Sequence, residues 1–290
     1  MNSHLLSWGR HRLELGRHTC VMGVVNVTPD SFSDGGHYLD PAAAIACGEQ
    51  MAAEGAGIID VGGESTRPFS DPITTEEEID RVVPVIETLA TRIHQPISID
   101  TMKAAVADRA LAAGAAMIND ISAMTFDPEM VGVARAGDVP VVLMHMQGTP
   151  KTMQARPIYN DVTAEVGAYL LAAAHRLQAA GVGRRRIILD PGIGFGKTFT
   201  HNLLLLKHLQ VLTQMGYPLL VGTSRKSFIR HLVKGDQQPD IHPEHPLVET
   251  GTQATVTAAI LAGAQIIRVH DVANTMATVK VIDAIRHAQG

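Results

Sequence analysis

Glu54-Gly55-Ala56-Gly57-Ile58-Ile59-Asp60-Val61-Gly62-Gly63-Glu64 decides the fold. The Ala-rich stretch Pro41–Ala53 leads into it, after Asp40, a good N-cap with proline at the first helical position. Gly55 ends that helix and starts a short return. Gly57–Val61 is then apolar without alternation, as a parallel strand buried on both faces reads. The run carries Asp60 near its end and opens into a polar, glycine-bearing loop.

The same unit recurs along the chain. Apolar runs read as strands at Thr19–Val25, Gly57–Val61, Ile97–Ile99, Met117–Ile118, Val139–Met144, Ile187–Leu189, Leu219–Val221 and Ile266–Val269. Helical patterns lie between them. Thr75–Thr91 has Thr75 and Glu78 at capping-box spacing. Lys103–Ala113 stops at Gly114, Asp161–Ala180 stops at Gly181, and Val272–Ala288 is the last. Glycine breaks precede strands again at Ala113-Gly114-Ala115 and Ala262-Gly263-Ala264. Eight β-then-α units predict an α/β chain with a parallel sheet, and eight is the number that closes a (β/α)8 TIM barrel. An open doubly wound sheet is the runner-up. The 290 residues suit one barrel of roughly 250 residues with additions, here an N-terminal extension. No Pro-, Gly- or Ser-rich linker divides residues 1–290, so a single domain is expected.

Composition narrows the class. Hydrophobic residues make up 46% and charged residues 18%, ordinary for a soluble globular chain, and the net charge of −5 disfavours a nucleic-acid partner. Cys20 and Cys47 fit no metal spacing and no disulfide framework. No apolar run reaches the ~18 residues of a membrane span. Met1 to Arg12 lacks the apolar core of a signal peptide. No membrane association and a cytoplasmic location are expected.

Each strand run delivers a polar group at its C-terminal end: Asn26, Asp60, Asp100, Asn119 with Asp120, His145, Asp190, then Ser224-Arg225-Lys226, and Arg268 with His270 and Asp271. A lone Asp or Asn there is usually a helix N-cap, and that reading holds open for Asp120 and Asp271. His145 fits a packed rim residue equally well. Eight in succession would converge on the mouth where barrel enzymes work. Asp60, Asp100, Asn119 and Asp190 offer acceptors that suit an N–H-rich heterocycle edge, since buried carboxylates are costly unless paired. Lys226, Arg268 and His270 suit a phosphate-bearing substrate. The mouth therefore reads as an acceptor-rich pocket beside a donor-rich one.

Two long glycine-bearing loops, Asn26–Gly36 and Gly62–Pro68, suit lids over such a mouth. Asp190-Pro191-Gly192-Ile193-Gly194-Phe195-Gly196-Lys197-Thr198 looks like a phosphate loop, but Pro191 stands where the motif needs glycine. No Gly-x-Gly-x-x-Gly follows a strand, and neither Gly-x-Ser-x-Gly nor His-Glu-x-x-His occurs. Covalent catalysis is not indicated.

From about Met22 to Val272 these segments resemble the dihydropteroate synthase family. The pieces are Met22–Gly36 with Asn26-Val27-Thr28-Pro29-Asp30-Ser31-Phe32-Ser33-Asp34-Gly35-Gly36, Asp60–Pro68, Ser98-Ile99-Asp100-Thr101, Asn119-Asp120-Ile121, Leu143–Gly148, Asp190-Pro191-Gly192, Ser224-Arg225-Lys226-Ser227 and Arg268-Val269-His270-Asp271. The resemblance implies a folate-pathway transferase. It would join p-aminobenzoate to 6-hydroxymethyl-7,8-dihydropterin diphosphate, giving 7,8-dihydropteroate and diphosphate. It further implies that Asp100, Asn119, Ile121, Met144, Asp190 and Lys226 hold the pterin. Asn26, Thr66, Arg67, Arg268 and His270 would take the diphosphate, and Asn26 would also bind Mg²⁺. Arg67, Pro68, Phe195 and Ser227 would line the aminobenzoate pocket. Asp34, Lys226, Arg268 and His270 would assist catalysis. A homodimer and competition by sulfonamides are implied too. One departure stands out: many relatives carry Arg three residues before Gly251-Thr252, and here that residue is Val248.

Three other readings stay open. A pterin-binding methyltransferase barrel shares the acceptor pocket but has no use for the two loops or the diphosphate cations. A degenerate, non-enzymatic paralogue would have lost site residues. An aldolase-type barrel wants a Schiff-base lysine at a strand end, whereas Lys226 falls beyond the seventh run.

Overall fold

The computed structural model describes residues 3–28, 41–66, 70–235 and 239–289. It opens with an antiparallel hairpin, β1 (His4–Trp8) and β2 (His11–Leu15). Eight parallel strands follow: β3 (Cys20–Asn26), β4 (Ile58–Gly62), β5 (Ile97–Asp100), β6 (Met117–Asp120), β7 (Val141–Met144), β8 (Ile187–Asp190), β9 (Leu220–Val221) and β10 (Ile266–Val269). They are hydrogen-bonded in the order β8-β7-β6-β5-β4-β3-β10-β9, and a parallel bridge between Leu189 and Leu219 joins the two ends. This is the expected (β/α)8 barrel, with strands within two residues of their sequence-read bounds. All residues of β4, β6, β7 and β8 are buried, because helices cover one side and the barrel interior the other.

Helices α1 (Pro41–Glu54), α2 (Thr75–Arg92), α3 (Ala104–Ala112), α4 (Met130–Gly137), α5 (Val162–Ala179), α6 (Phe199–Lys207), α7 (Leu209–Thr213), α8 (Ser227–Val233), α9 (Pro246–Leu261) and α10 (Val272–His287) return the chain between strands. The glycine breaks act as read: Gly55, Gly114 and Gly263 have φ of +106°, +110° and +106°. The N-terminus of α2 differs from the expected capping box. Thr74, not Thr75, is the cap, and its side chain accepts from the Glu77 N–H. Glu78 is unavailable for capping because it is fully buried and bound by Lys103. Asp161 likewise stands just outside α5 as its N-cap, accepting from Thr163 and Ala164. Asp40 lies outside the described residues.

The hairpin is the element that the sequence reading gave only as an N-terminal extension. Leu6, Trp8 and Leu15 are buried, and the Trp8 indole N–H donates to the Ala116 carbonyl at 2.7 Å, just ahead of β6. Arg186, just ahead of β8, donates to the Ser7 carbonyl at 2.6 Å. The hairpin thus packs at the N-terminal end of the barrel, opposite the polar mouth. Burying one tryptophan there contributes roughly 4–6 kcal/mol before the entropy of ordering is subtracted.

Candidate active site

Strand register sets the depth of each polar group. Asp100 is level with Asn119, and Met144 with Asp190. Asp60 pairs with Ser98, two residues deeper than Asp100, and is fully buried. Arg268, on β10, has the reach to span both levels. Its Nε donates to Asp60 Oδ2 and its Nη2 to Asp100 Oδ2, each at 2.6 Å. Asn119 Nδ2 donates to the same Asp60 oxygen at 3.1 Å. The expected division into an acceptor pocket and a donor pocket is therefore not what the fold makes. The guanidinium is threaded between the carboxylates and pairs with both, where an unpaired buried charge would be costly.

The pairing is incomplete. Among the described residues, Asp60 Oδ1, Asp100 Oδ1 and Ser98 Oγ are buried with no hydrogen-bond partner. Such orphaned acceptors are rare in folded proteins and suit an N–H-bearing ligand. Burial pushes the Asp100 carboxyl up to about 7, against the pull of Arg268. Burial likewise lifts Asp190 to about 6, tempered by the Gly192 N–H, which donates to Asp190 Oδ1 at 2.7 Å. Burial opposes the charge on Arg268, but Asp60 and Asp100 outweigh it and raise its pKa. Lys226 falls to about 8, through burial and then repulsion from Arg268.

Beside these charges stands an apolar wall. Met102, Ile121 and Met144 are buried together, with Met146 and Phe195 packed against them. The Lys226 ammonium lies 4.0 Å from the centre of the Phe195 ring, a cation–π contact. Tight backbone packing aims Phe195. Gly192 has φ +65°, and a Cβ there would fall 2.0 Å from the His145 carbonyl oxygen, so only glycine fits. Gly194 and Gly196 carbonyls accept from Gln154 Nε2 and the Tyr159 hydroxyl. Lys197 Nζ is buried and reaches His145 Nδ1 at 2.9 Å, the His145 carbonyl at 3.3 Å and the Phe195 carbonyl at 2.9 Å. The Gly-Lys-Thr that failed as a phosphate loop is a loop anchor. Sequence reasoning missed Met102, Met146 and Lys197. Met102 and Met146 lie within two residues of Asp100 and Met144, a proximity that flags them.

The remaining sequence-read residues fall as follows. Asn26 ends β3, level with Gly62 of β4. Thr66 is half-buried past β4. Lys226 is the N-cap of α8 and Ser227 its exposed first residue. His270 Nδ1 lies 3.0 Å from Ser224 Oγ. Arg225 adopts φ +60° between Ser224 and Lys226, a strained turn that places both near the mouth. Asp34, Arg67 and Pro68 lie outside the described residues. Asp120 accepts from the N–H groups of Ser122 and Met124, and Asp271 caps α10, so both serve local turns. His145 is a packed residue whose ring meets Tyr169 edge-on and which burial, then Lys197, pushes down to about 3. Val248 is buried in α9.

The chain matches the family model described as pterin binding enzyme over residues 22–270. The dihydropteroate synthase of Synechocystis is 46% identical over 96% of this chain and 93% of its own length. That of Escherichia coli is 44% identical over 94% and 93%. Among solved structures, the Xanthomonas albilineans dihydropteroate synthase with 4-aminobenzoic acid superposes with a TM-score of 0.90 at 43% identity, covering 99% of this chain and all of that one. The same bacterium's enzyme in complex with 7,8-dihydropteroate gives 0.83 at 41% identity, covering 94% and 95%. A β-strand mouth with paired and orphaned carboxylates, matched across nearly the whole chain, places it plainly: the chain belongs to the dihydropteroate synthase family of pterin-binding enzymes.

Proposed function

We propose that the protein condenses 6-hydroxymethyl-7,8-dihydropterin diphosphate with p-aminobenzoate to give 7,8-dihydropteroate and diphosphate. The observation that carries this reading is the Asp60–Arg268–Asp100 cluster with its unpaired oxygens, at the same strand ends as the Met102–Ile121–Met144 apolar cluster and Lys226. An aminopterin ring offers N–H donors to such oxygens and a flat apolar face to Ile121 and Met144. Asn119, Asp190 and Lys226 complete its edge.

The reaction breaks the bond between the pterin methylene carbon and the diphosphate oxygen, which leaves with the electron pair. The aryl amine nitrogen then donates its pair to the methylene carbon and loses a proton. No protein nucleophile is needed. Catalysis rests on positioning, on charge placed where the diphosphate departs, from Arg268, His270 and Arg67, and on a hydrogen bond there from the Thr66 hydroxyl. Asp34 is assigned to charge developing on the pterin. Phe195, Pro68 and Ser227 are assigned to the aminobenzoate.

Mg²⁺ fits the Asn26 end of β3. Among the described residues no group of three His, Cys, Asp or Glu forms a cage, and Mg²⁺ habitually takes one or two protein oxygens with the rest from phosphate and water. Asn26 supplies such an oxygen. When bound, the ion would neutralise charge on the leaving diphosphate. The protein acts as one domain, in the cytoplasm, as a homodimer, which sedimentation tests. No described helix is long and apolar enough to cross a membrane.

The deciding experiment mixes the protein with both substrates and Mg²⁺, and follows diphosphate release and dihydropteroate by chromatography. Stoichiometric formation of both is expected. Pterin binding with no diphosphate release would overturn the proposal.

A further inference from the structure

Lys103 sits at the N-cap of α3, three residues beyond Asp100, and has no part in the chemistry above. Its ammonium has three protons and three partners: Glu64 Oε2 at 2.8 Å, Glu78 Oε2 at 2.7 Å and the Ile73 carbonyl at 2.8 Å. Lys103 and Glu64 side chains are each 13% exposed and Glu78 is fully buried. Two of these partners lie on opposite feet of one loop. Glu64 is on the foot leaving β4, and Ile73 is on the foot entering α2.

Other contacts pull the same way. Arg81 of α2 donates to the Gly63 carbonyl at 2.8 Å, and the Ser70 hydroxyl donates across the loop to the Ser65 carbonyl at 2.5 Å. Gly63 has no room for a side chain: a Cβ there would lie 2.8 Å from Val82 and 3.1 Å from Glu78. Burial lifts the Glu78 carboxyl and Lys103 draws it back, so the two stay coupled. An ammonium that saturates three buried or half-buried acceptors holds its geometry far better than a surface ion pair.

We infer that Lys103 is a positioning residue that staples Glu64 and Ile73, on the two feet of the loop between β4 and α2, to the barrel rim and thereby fixes the reach of Thr66 toward the diphosphate. This rests on the function proposed above. The staple acts on the diphosphate end of the pterin substrate and not on the pterin ring, because Asp60, Asp100, Asn119 and Asp190 are carried by strands that the loop does not support.

The test uses Lys103→Met and Glu64→Gln. The second variant keeps the Lys103–Glu78 pair and protects the test if the first fails to fold. Hydrogen exchange by mass spectrometry is expected to show backbone amides of residues 63–66 and 70–73 exchanging tenfold faster or more in Lys103→Met, with barrel strands unchanged. Kd for the pterin diphosphate, by calorimetry, should rise at least tenfold while Kd for the 6-hydroxymethylpterin without its diphosphate stays within threefold. Glu64→Gln should show the same pattern at smaller amplitude. Unchanged exchange in the loop, or affinity for the pterin without its diphosphate lost in step with that for the diphosphate, would overturn the assignment. If the wild-type protein releases no diphosphate, the proposed reaction falls, while the exchange measurement still decides the staple.

Discussion

Removing the Arg268 guanidinium separates its two roles. In Arg268→Met the volume is nearly kept, but Asp60 and Asp100 lose a donor at 2.6 Å each. Asp60 is fully buried and the Asp100 side chain is 11% exposed, so solvent does little to replace that donor. Breaking a buried pair by removing one partner costs about 3–5 kcal/mol. Unfolding entropy of roughly 2.1 cal/mol/K per residue gives about 0.6 kcal/mol/K for a chain of 290 residues, so Tm should fall by about 5–8 °C at pH 8. The pH dependence has a definite sign. Asp100 is raised to about 7 in the folded state, so its contribution to stability is fully present below its unfolded value and is lost as pH rises through 7. Without Arg268 the carboxyl rises further, and protonation at lower pH relieves the unpaired charge. The Tm gap between variant and wild type should therefore narrow from pH 8 to pH 6. Scanning calorimetry at both pH values, with kcat/KM from diphosphate release, checks this. A wild-type Tm at pH 8, or a gap that widens on acidification, would refute the reasoning.

Other outcomes follow from the same geometry. Lys226→Met and Asp190→Asn should each lower kcat/KM about a hundredfold or more, the scale of one lost positioning or charge contact; near-normal steady-state kinetics in both would exclude their assigned roles. Gly192→Ala forces a left-handed residue, about 1–2 kcal/mol, and drives a methyl into the His145 carbonyl, so Tm and pterin affinity by calorimetry should drop together; an unchanged Kd would argue against the loop's part in the site. Trp8→Phe orphans the buried Ala116 carbonyl and should cost about 1–3 kcal/mol in denaturant unfolding, with kcat/KM untouched because the hairpin packs at the opposite end of the barrel. Chelation by EDTA should suppress diphosphate release and added Mg²⁺ should restore it; full activity after chelation would remove the ion from the proposal.

How far each feature could be read depends on the range of the forces behind it. Apolar runs such as Val141–Met144 betray buried strands because burial on both faces leaves no alternation to disguise. Gly55, Gly114 and Gly263 betray helix ends because only a few residues take left-handed φ cheaply. These signals are local. The cap at Thr74 was misread by one residue because Glu78, whose spacing marked Thr75, is claimed by Lys103 from another βα unit. The hairpin around Gly9-Arg10 carried an alternation of Leu6 and Trp8 against Leu13 and Leu15, short enough to pass for an irregular extension.

The sequence by itself determined the barrel, its eight strand ends and the set of polar residues gathered there, since periodicity and turn chemistry act within a few positions. Only the tertiary structure decided who pairs with whom. Arg268 and Asp60 are separated by 208 residues, and Lys197 and His145 by 52. Their meeting depends on strand register and barrel closure. Charge pairing falls off with distance in space and is blind to distance along the chain, so the interleaving of donors and acceptors at the mouth could be seen only once the strands were side by side.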